Sequence, residues 1–214
     1  MVEFNYVAQI LLLTMAVTLT STAISTVGGL PLGYLIAKGR KKSIKPVRSI
    51  VTAMTGIPPV VAGLCIYFLL TRNGPLGGFK LLYSPTAMVL AQIIIVLPII
   101  AAISYPAIMK VDSEISETCT GLRLSVGKTF GLLLSESRPA CVGAIMSGFG
   151  RAISEVGAVM IVGGNIAWKT RVMTTALLTE TGRGNYVTAM LLGGVLLLVS
   201  ISVNLLAGKL RDDK

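Results

Sequence analysis

Asp112-Ser-Glu-Ile-Ser-Glu-Thr-Cys-Thr-Gly121 and, further on, Gly148-Phe-Gly-Arg-Ala-Ile-Ser-Glu-Val-Gly157 decide how this chain reads. The first is a charged, amphipathic stretch between two long apolar blocks. The second sets Arg151 and Glu155 inside sequence that is otherwise apolar and small. Polar structure held between apolar blocks, followed by an ionisable pair within one, points to a machine worked from one side of a membrane. The arrangement is the one expected where a solute is moved across the membrane and no chemistry is catalysed by the chain itself.

Outward from these stretches the charges are segregated. Uncharged runs cover 4–37, 49–71, 81–109 and 184–208, and the run 139–168 is broken only by Arg151 and Glu155. Each exceeds the ~20 residues that cross a hydrocarbon core as helix. Only 13% of the residues are charged, 53% are hydrophobic and the mean hydropathy is +0.81, whereas a soluble domain carries about a quarter charged residues. Lipid offers backbone groups no partners, so such runs form helices or a closed barrel. The alternating segments of a barrel are absent. The expected fold is an all-α integral membrane protein, one domain over 1–214. Five helices span at about 6–37, 49–71, 84–109, 139–164 and 186–208, with a short cytoplasmic helix between the third and the fourth.

The basic residues orient it. The loop 38–48 holds Lys38, Arg40, Lys41, Lys42, Lys45 and Arg48, the loop 110–138 holds Lys110, Arg123, Lys128 and Arg138, and the tail holds Lys209, Arg211 and Lys214. Only Arg72, Lys80, Lys169, Arg171 and Arg183 fall on the other side. The positive-inside rule then puts the N-terminus outside and the C-terminus in the cytoplasm. The net charge of +10 reads as topology, and nucleic-acid binding is not expected. The first apolar run has no basic n-region and is too long for a signal-peptide core, so it reads as a retained span. Cys65, Cys119 and Cys141 show no Cys-x-x-Cys spacing and there is no histidine. Neither a disulfide framework, a metal set nor a catalytic set is expected.

Within the spans, Gly28-Gly29 and Pro31 offer a break that would let the end of span one leave the membrane. Gly29 and Gly33 form a small-xxx-small pair suited to close helix contact, including dimerisation. Span two carries Thr55-Gly-Ile-Pro-Pro-Val-Val-Ala-Gly63. Its two prolines remove two amide donors and clash with carbonyls one turn back. The freed carbonyls need neighbouring helices or a water-filled cavity, so Thr55 to Pro59 either lines a solute path near the midplane or forms a structural kink. Span three begins with Ser84 as cap and Pro85 in the first turn, and its Gln92 suits a bond to a neighbouring helix. In span four, Ala144, Gly148 and Ala152 repeat at helical spacing, as do Gly150, Ser154 and Ala158. Two small-residue faces would place this span at the centre of the bundle. Arg151 and Glu155, one turn apart, form an intrahelical pair that is either functional or structural. The loop from Gly163 to Tyr186 lies outside the membrane, with a short helix over 174–181 ended by Gly182.

Gly121-Leu-Arg-Leu-Ser-Val-Gly127-Lys-Thr129 is one residue too long for a nucleotide-binding loop and follows no strand. No ATPase site, and no cofactor of the chain's own, is expected; energy would come from a partner. In the segment 112–121, Asp112 or Ser113 can cap a helix with Glu114 and Glu117 in its first turn. Ile115, Cys119 and Leu122 share one face. Gly121 permits a turn, and a second short helix through Phe130 follows. Such a helix suits docking in a partner's groove, or lying on lipid headgroups.

At these residues the chain resembles the membrane subunits of prokaryotic ABC importers. Glu117-Thr-Cys119 stands where that family's cytoplasmic loop has Glu-Ala-Ala, and Phe130 matches its aromatic position. Arg123 stands at the loop glycine, with Gly121 two residues earlier, and Ser135-Glu136 stands where Leu-Pro is usual. Within the family the chain is similar to permeases for sulfate, molybdate and tungstate. The matching stretches are Pro58-Pro59-Val-Val-Ala-Gly63, Asn73-Gly-Pro-Leu-Gly77, Ala91-Gln92 with Pro98, Gly150-Arg-Ala-Ile-Ser-Glu155-Val-Gly157 and Gly163-Gly-Asn165. The stretch from Thr170 to Gly182 looks closest to the tungstate branch. The resemblance implies a homodimer in the cytoplasmic membrane, seated on cytoplasmic ATPase subunits and fed by an external oxyanion-binding protein. It implies coupling through Glu117, Thr118, Cys119, Gly121, Arg123 and Phe130, and a pathway near Thr55, Pro58, Pro59, Gly63, Arg151 and Glu155. A passive channel or secondary carrier would need no coupling helix and would more often show inverted repeats. A membrane enzyme would need a reactive cluster within the spans, and only Arg151, Glu155 and scattered hydroxyls are available.

Overall fold

A computed structural model describes residues 4–39 and 41–212; Arg40 and Lys214 of the basic loops lie outside them. The helices are α1 (Phe4–Lys38), α2 (Lys41–Met54), α3 (Pro59–Leu70), α4 (Pro85–Gly121), α5 (Val126–Glu136), α6 (Arg138–Ile153), α7 (Gly157–Gly163), α8 (Met173–Gly182) and α9 (Tyr186–Asp212). A 3-10 turn at Gly77–Phe79 interrupts the link from α3 to α4. Among the described residues, α1, α4 and α9 are each long and apolar enough to cross a bilayer alone. The bent pairs α2–α3 (103°) and α6–α7 (56°) bring the spans to as many as five.

The centre of the bundle is α4, not the fourth span. It packs on α1, α2, α3, α5, α6 and α7. Its start is fixed by Ser84, whose hydroxyl accepts from the Ala87 amide at 3.4 Å, with Pro85 in the first turn. Pro98 and Pro106 lie inside it without ending it. Gln92 is buried at the meeting of three helices: its amide donates to the Ala152 carbonyl at 3.0 Å, and its oxygen accepts from Ser21 at 2.6 Å. That burial suits a structural tie, because each polar atom of the side chain finds a partner.

The expected break in span one does not occur; α1 runs through Pro31 to Lys38. The small residues around it press against α4. A Cβ at Gly29 would lie 3.0 Å from Ile100 and 3.1 Å from the Leu97 carbonyl, and one at Gly33 would strike Ser104. Close contact along α4 supports α1 where the proline removes a hydrogen bond. The Gly29/Gly33 pair therefore serves packing within the chain.

The helix beginning at Asp112 is also absent as a separate element, since α4 continues unbroken to Gly121. Ser113 donates to the Lys110 carbonyl at 2.7 Å, and Asp112 pairs with Lys38 at 2.7 Å. Neither caps a helix. The second short helix does form, as α5. The segment beyond α7 contains its expected short helix, α8, but the N-terminal half of α8 is inserted into the bundle. Met173, Thr174, Thr175 and Ala176 are buried, and the Met173 amide donates to Thr14 of α1 at 2.9 Å.

Candidate translocation pathway and coupling loop

The two bent pairs lie side by side. A Cβ at Gly63 of α3 would sit 2.7 Å from the Ala158 Cα of α7, and one at Gly157 would sit 2.9 Å from Val60. Both half-helices thus begin at neighbouring points. Gly63 is buried in this crossing, where its lack of a side chain sets the approach of the two helices.

In the first break, Pro58 is extended (φ −60°, ψ 128°) and Pro59 opens α3, where its missing N–H costs nothing. The carbonyls of Thr52, Ala53 and Met54 accept from the amides of Thr55, Gly56 and Ile57 at 3.1–3.2 Å. The tight i→i+3 turn to Ile57 thereby satisfies the Met54 carbonyl, one of the two that Pro58 and Pro59 free. Thr55 and Gly56 are exposed, as are Val60 and Val61 on the first turn of α3. The side chain of Thr55 bonds back to the Thr52 carbonyl at 2.7 Å.

The second break was not legible as one. The expected intrahelical pair forms, with Arg151 Nη1 2.9 Å from Glu155 Oε2, but it straddles the end of α6. Glu155 Oε1 accepts from the Ala158 amide at 3.0 Å, and the Glu155 carbonyl accepts from Thr174 at 2.9 Å. One buried carboxylate thereby closes the salt bridge and caps α7, while its backbone ties down α8. Its side chain is 2% exposed and that of Arg151 is 33% exposed. Arg151 shares the open side of α6 with Ser147 and Ser154, which are exposed, and with Gly143 and Gly150, where an added Cβ would meet nothing within 4 Å. The other stripe of this span, Ala144, Gly148 and Ala152, packs on Val96 and Ile100 of α4.

A set of hydroxyls missed in the sequence faces this region from α1. Thr14, Thr18, Ser21, Thr22 and Ser25 are all buried. Together with Gln92, Glu155 and Thr174, Thr14 and Thr18 line a cavity of about 10 Å³, room for about one water. Their recurrence at helical spacing in an uncharged run was the available signal.

At the other end of α4, Leu122 caps the helix and Arg123 takes a left-handed conformation (φ 49°). The turn expected at Gly121 is thus made at Arg123, the position of the family's loop glycine. The Leu124 amide donates to the Cys119 carbonyl at 3.0 Å and closes the loop. The expected apolar face divides. Ile115 and Cys119 turn inward with Tyr34, Ile108, Leu133 and Cys141, while Leu122 is 68% exposed and Val126 74% exposed. Phe130 also turns inward, edge-on to Tyr34 with ring centroids 5.0 Å apart. Glu117, Thr118, Gly121, Leu122, Arg123 and Val126 are exposed at this end, whereas Cys119 is buried and Phe130 half-buried.

Opposite this end, the Gly163-Gly-Asn165 turn is held by side chains. Thr170 donates to the Gly163 carbonyl at 2.6 Å. Arg171 reaches Asn165 Oδ1 at 3.0 Å and the Tyr6 hydroxyl at 2.8 Å. The rings of Tyr6 and Trp168 meet at a 58° tilt with centroids 4.9 Å apart, which joins the start of α1 to this loop.

No protein-family model matches the chain. It is 34% identical to the "Probable anion ABC transporter permease protein" of Haloferax volcanii, over 98% of this chain and 93% of that one. It is 35% identical to the tungstate uptake system permease protein of Peptoclostridium acidaminophilum, over 97% and 91%. The sulfate transport system permease protein of Synechococcus elongatus is 29% identical, over 92% of this chain and 73% of that one. The crystal structure of an amino acid ABC transporter shares the fold, with a TM-score of 0.68 over 97% of this chain and 93% of that one at 18% identity. With the bent spans, the extended α4 and these relatives in place, the chain is a multi-pass membrane protein that belongs to the ABC transporter permeases of the oxyanion group.

Proposed function

We propose that this chain is the permease of an ATP-driven importer for a tetrahedral oxyanion, and that the anion is tungstate. The observation that carries the choice of anion is the similarity to tungstate uptake permeases at 34–35% identity. The molybdenum and sulfate transport permeases stand lower, at 24–29%. The thirteen basic residues of the 38–48 loop, the 110–138 loop and the tail support a cytoplasmic placement of the Arg123 end, with the N-terminus outside.

In this reading the permease acts as a homodimer. The open small-residue side of α6 supports close approach of a second copy, and Arg151 on that side would add positive potential to an anion path at the interface. Thr55, Pro58 and Pro59 would form the gate, with Gly63 and Glu155 fixing its neighbours. A cytoplasmic ATPase supplies the energy, because the chain carries no nucleotide loop of its own, and an external oxyanion-binding protein delivers the substrate. The tip Leu122–Val126, which carries Arg123 and follows Glu117, would seat on the ATPase. As one continuous helix from this tip to Pro85, α4 can carry ATPase motion to both breaks.

The test is tungstate uptake into proteoliposomes holding the permease with its ATPase and binding protein. Uptake should need ATP and all three proteins, and excess molybdate or sulfate should compete less well than unlabelled tungstate. Uptake without ATP would make the chain a channel or carrier. Preferred uptake of molybdate or sulfate would correct the substrate.

A further inference from the structure

A groove of about 490 Å³ opens at the elbow between α1 and α2, beside α4. Ile36, Ile44, Tyr105 and Met109 form its apolar wall, and Lys45 and Arg48 stand at its rim. Asp112 also lines it, but its carboxylate is engaged by Lys38 at 2.7 Å, so the rim keeps its positive charge.

The helix that bounds the groove is built for an interface. Along α2 the basic residues 45 and 48 stand at i and i+3, and the apolar residues 44, 47 and 51 at i, i+3 and i+7. Val51 is buried and Ile44 packs with it against α4, while Val47 and Ile50 remain exposed. The basic residues sit in the N-terminal half of α2, the end from which this bent span enters the bilayer, so their charges stand at headgroup level beside exposed apolar residues. Basic pockets between membrane helices hold anionic headgroups by the same electrostatics.

We propose that this elbow groove is a binding site for one anionic phospholipid. Lys45 and Arg48 would pair with the headgroup phosphate, and an acyl chain would lie along Ile44, Met109 and Tyr105. Charge selects the headgroup and the apolar wall selects a lipid over a free phosphate. An occupied groove would brace the α1–α2 elbow against α4, next to the Lys38–Asp112 pair. The side of the membrane involved rests on the orientation proposed above; the binding itself does not.

The test is native mass spectrometry of the full chain released from mild detergent with phosphatidylglycerol, with phosphatidylcholine of the same chains, or with glycerol phosphate. Phosphatidylglycerol should be retained and the other two lost. Retention should fall by about tenfold in K45Q/R48Q, since each basic side chain near an anionic surface contributes roughly a fivefold factor before solvent exposure is discounted. It should persist in K45R/R48K, which keeps the charge and checks folding, and in K209Q, which removes a basic residue elsewhere. Equal retention of the two lipids, binding of glycerol phosphate alone, or an unchanged K45Q/R48Q would overturn the proposal. So would copies of the chain crosslinked through a cysteine at position 48 in place of bound lipid, which would assign the groove to a second copy.

Discussion

Two adjoining spans are broken, and they are broken by different means. Between α2 and α3 the cause is covalent: Pro58 and Pro59 cannot continue α2, and the chain turns through 103°. Thr55 and Gly56 stay exposed and bond back to their own preceding turn. Between α6 and α7 no proline intervenes. The helix ends because Glu155 offers the Ala158 amide a charged partner while holding Arg151, and the bend is 56°. The first break is stiff in its backbone and loosely surrounded. The second is permitted by any backbone and fixed by one side chain. In the proposed pathway the first kind suits a gate and the second a fixed post beside it.

Removing Glu155 should therefore have the largest effect. Glu155→Ala loses the cap and the salt bridge together, and the ~3–5 kcal/mol for breaking a fully buried pair is an upper bound here because Arg151 is 33% exposed. The yield of monodisperse protein from membranes in mild detergent should collapse. Arg151→Gln should also lower it, by leaving the carboxylate unpaired. R151Q/E155Q should recover much of the loss, because its second change removes the stranded charge and leaves an amide oxygen that can still accept from the Ala158 N–H. If that double variant folds but transports poorly, Arg151 serves the anion as well; full transport would leave it a structural partner.

Gly63→Ala comes next, at about 1–3 kcal/mol for overpacking, read as a lower melting temperature. Adding Ala158→Gly should not restore it, because the Cβ meets the Ala158 Cα and carbonyl, which glycine keeps. Rescue would show that the two broken spans are not packed backbone to backbone.

The same contrast, loose against anchored, sorts the far end of α4. Leu122→Asp at the exposed tip should leave folding intact and uncouple ATP hydrolysis from transport, as should Glu117→Arg. Phe130→Ala should act on stability, by less than the ~3–5 kcal/mol of a fully buried phenylalanine because Phe130 is only half-buried. Loss of coupling in Phe130→Ala without loss of stability would return this residue to the docking face. The smallest effect on stability belongs to Arg123→Gly, which should stabilise the loop by about 1 kcal/mol by relieving a left-handed arginine, while ATP hydrolysis measured against transport reads whether the lost guanidinium weakens the contact with the ATPase.

What was legible in the sequence follows the same division. Charge segregation and run length mark all five candidate spans, and the double proline marks its break, because these signals are local. Glu155 was visible as an intramembrane charge, but its role as a cap depends on where the backbone turns, and the ion pair at i, i+4 reads equally well inside a helix. Pro31 looked like a break because its support comes from α4, distant in sequence. Phe130 and Cys119 sat in a recognisable motif whose orientation, inward to Tyr34 or outward to a partner, spacing alone does not fix. The hydroxyls of α1 went unremarked because serine and threonine in a span carry no sign of their partners.

The claim that the proline break is a gate beside a fixed post is tested most directly by thiol accessibility. A cysteine at position 55, in place of Thr55 and with Cys65→Ser to remove the exposed native thiol, would be probed with a membrane-impermeant reagent. The assembled permease–ATPase complex would be compared nucleotide-free and ATP-bound. A gate at this break should label in at least one state, with a clear difference between the two. Complete protection in both states would contradict it and reduce Thr55 to Pro59 to a packing kink.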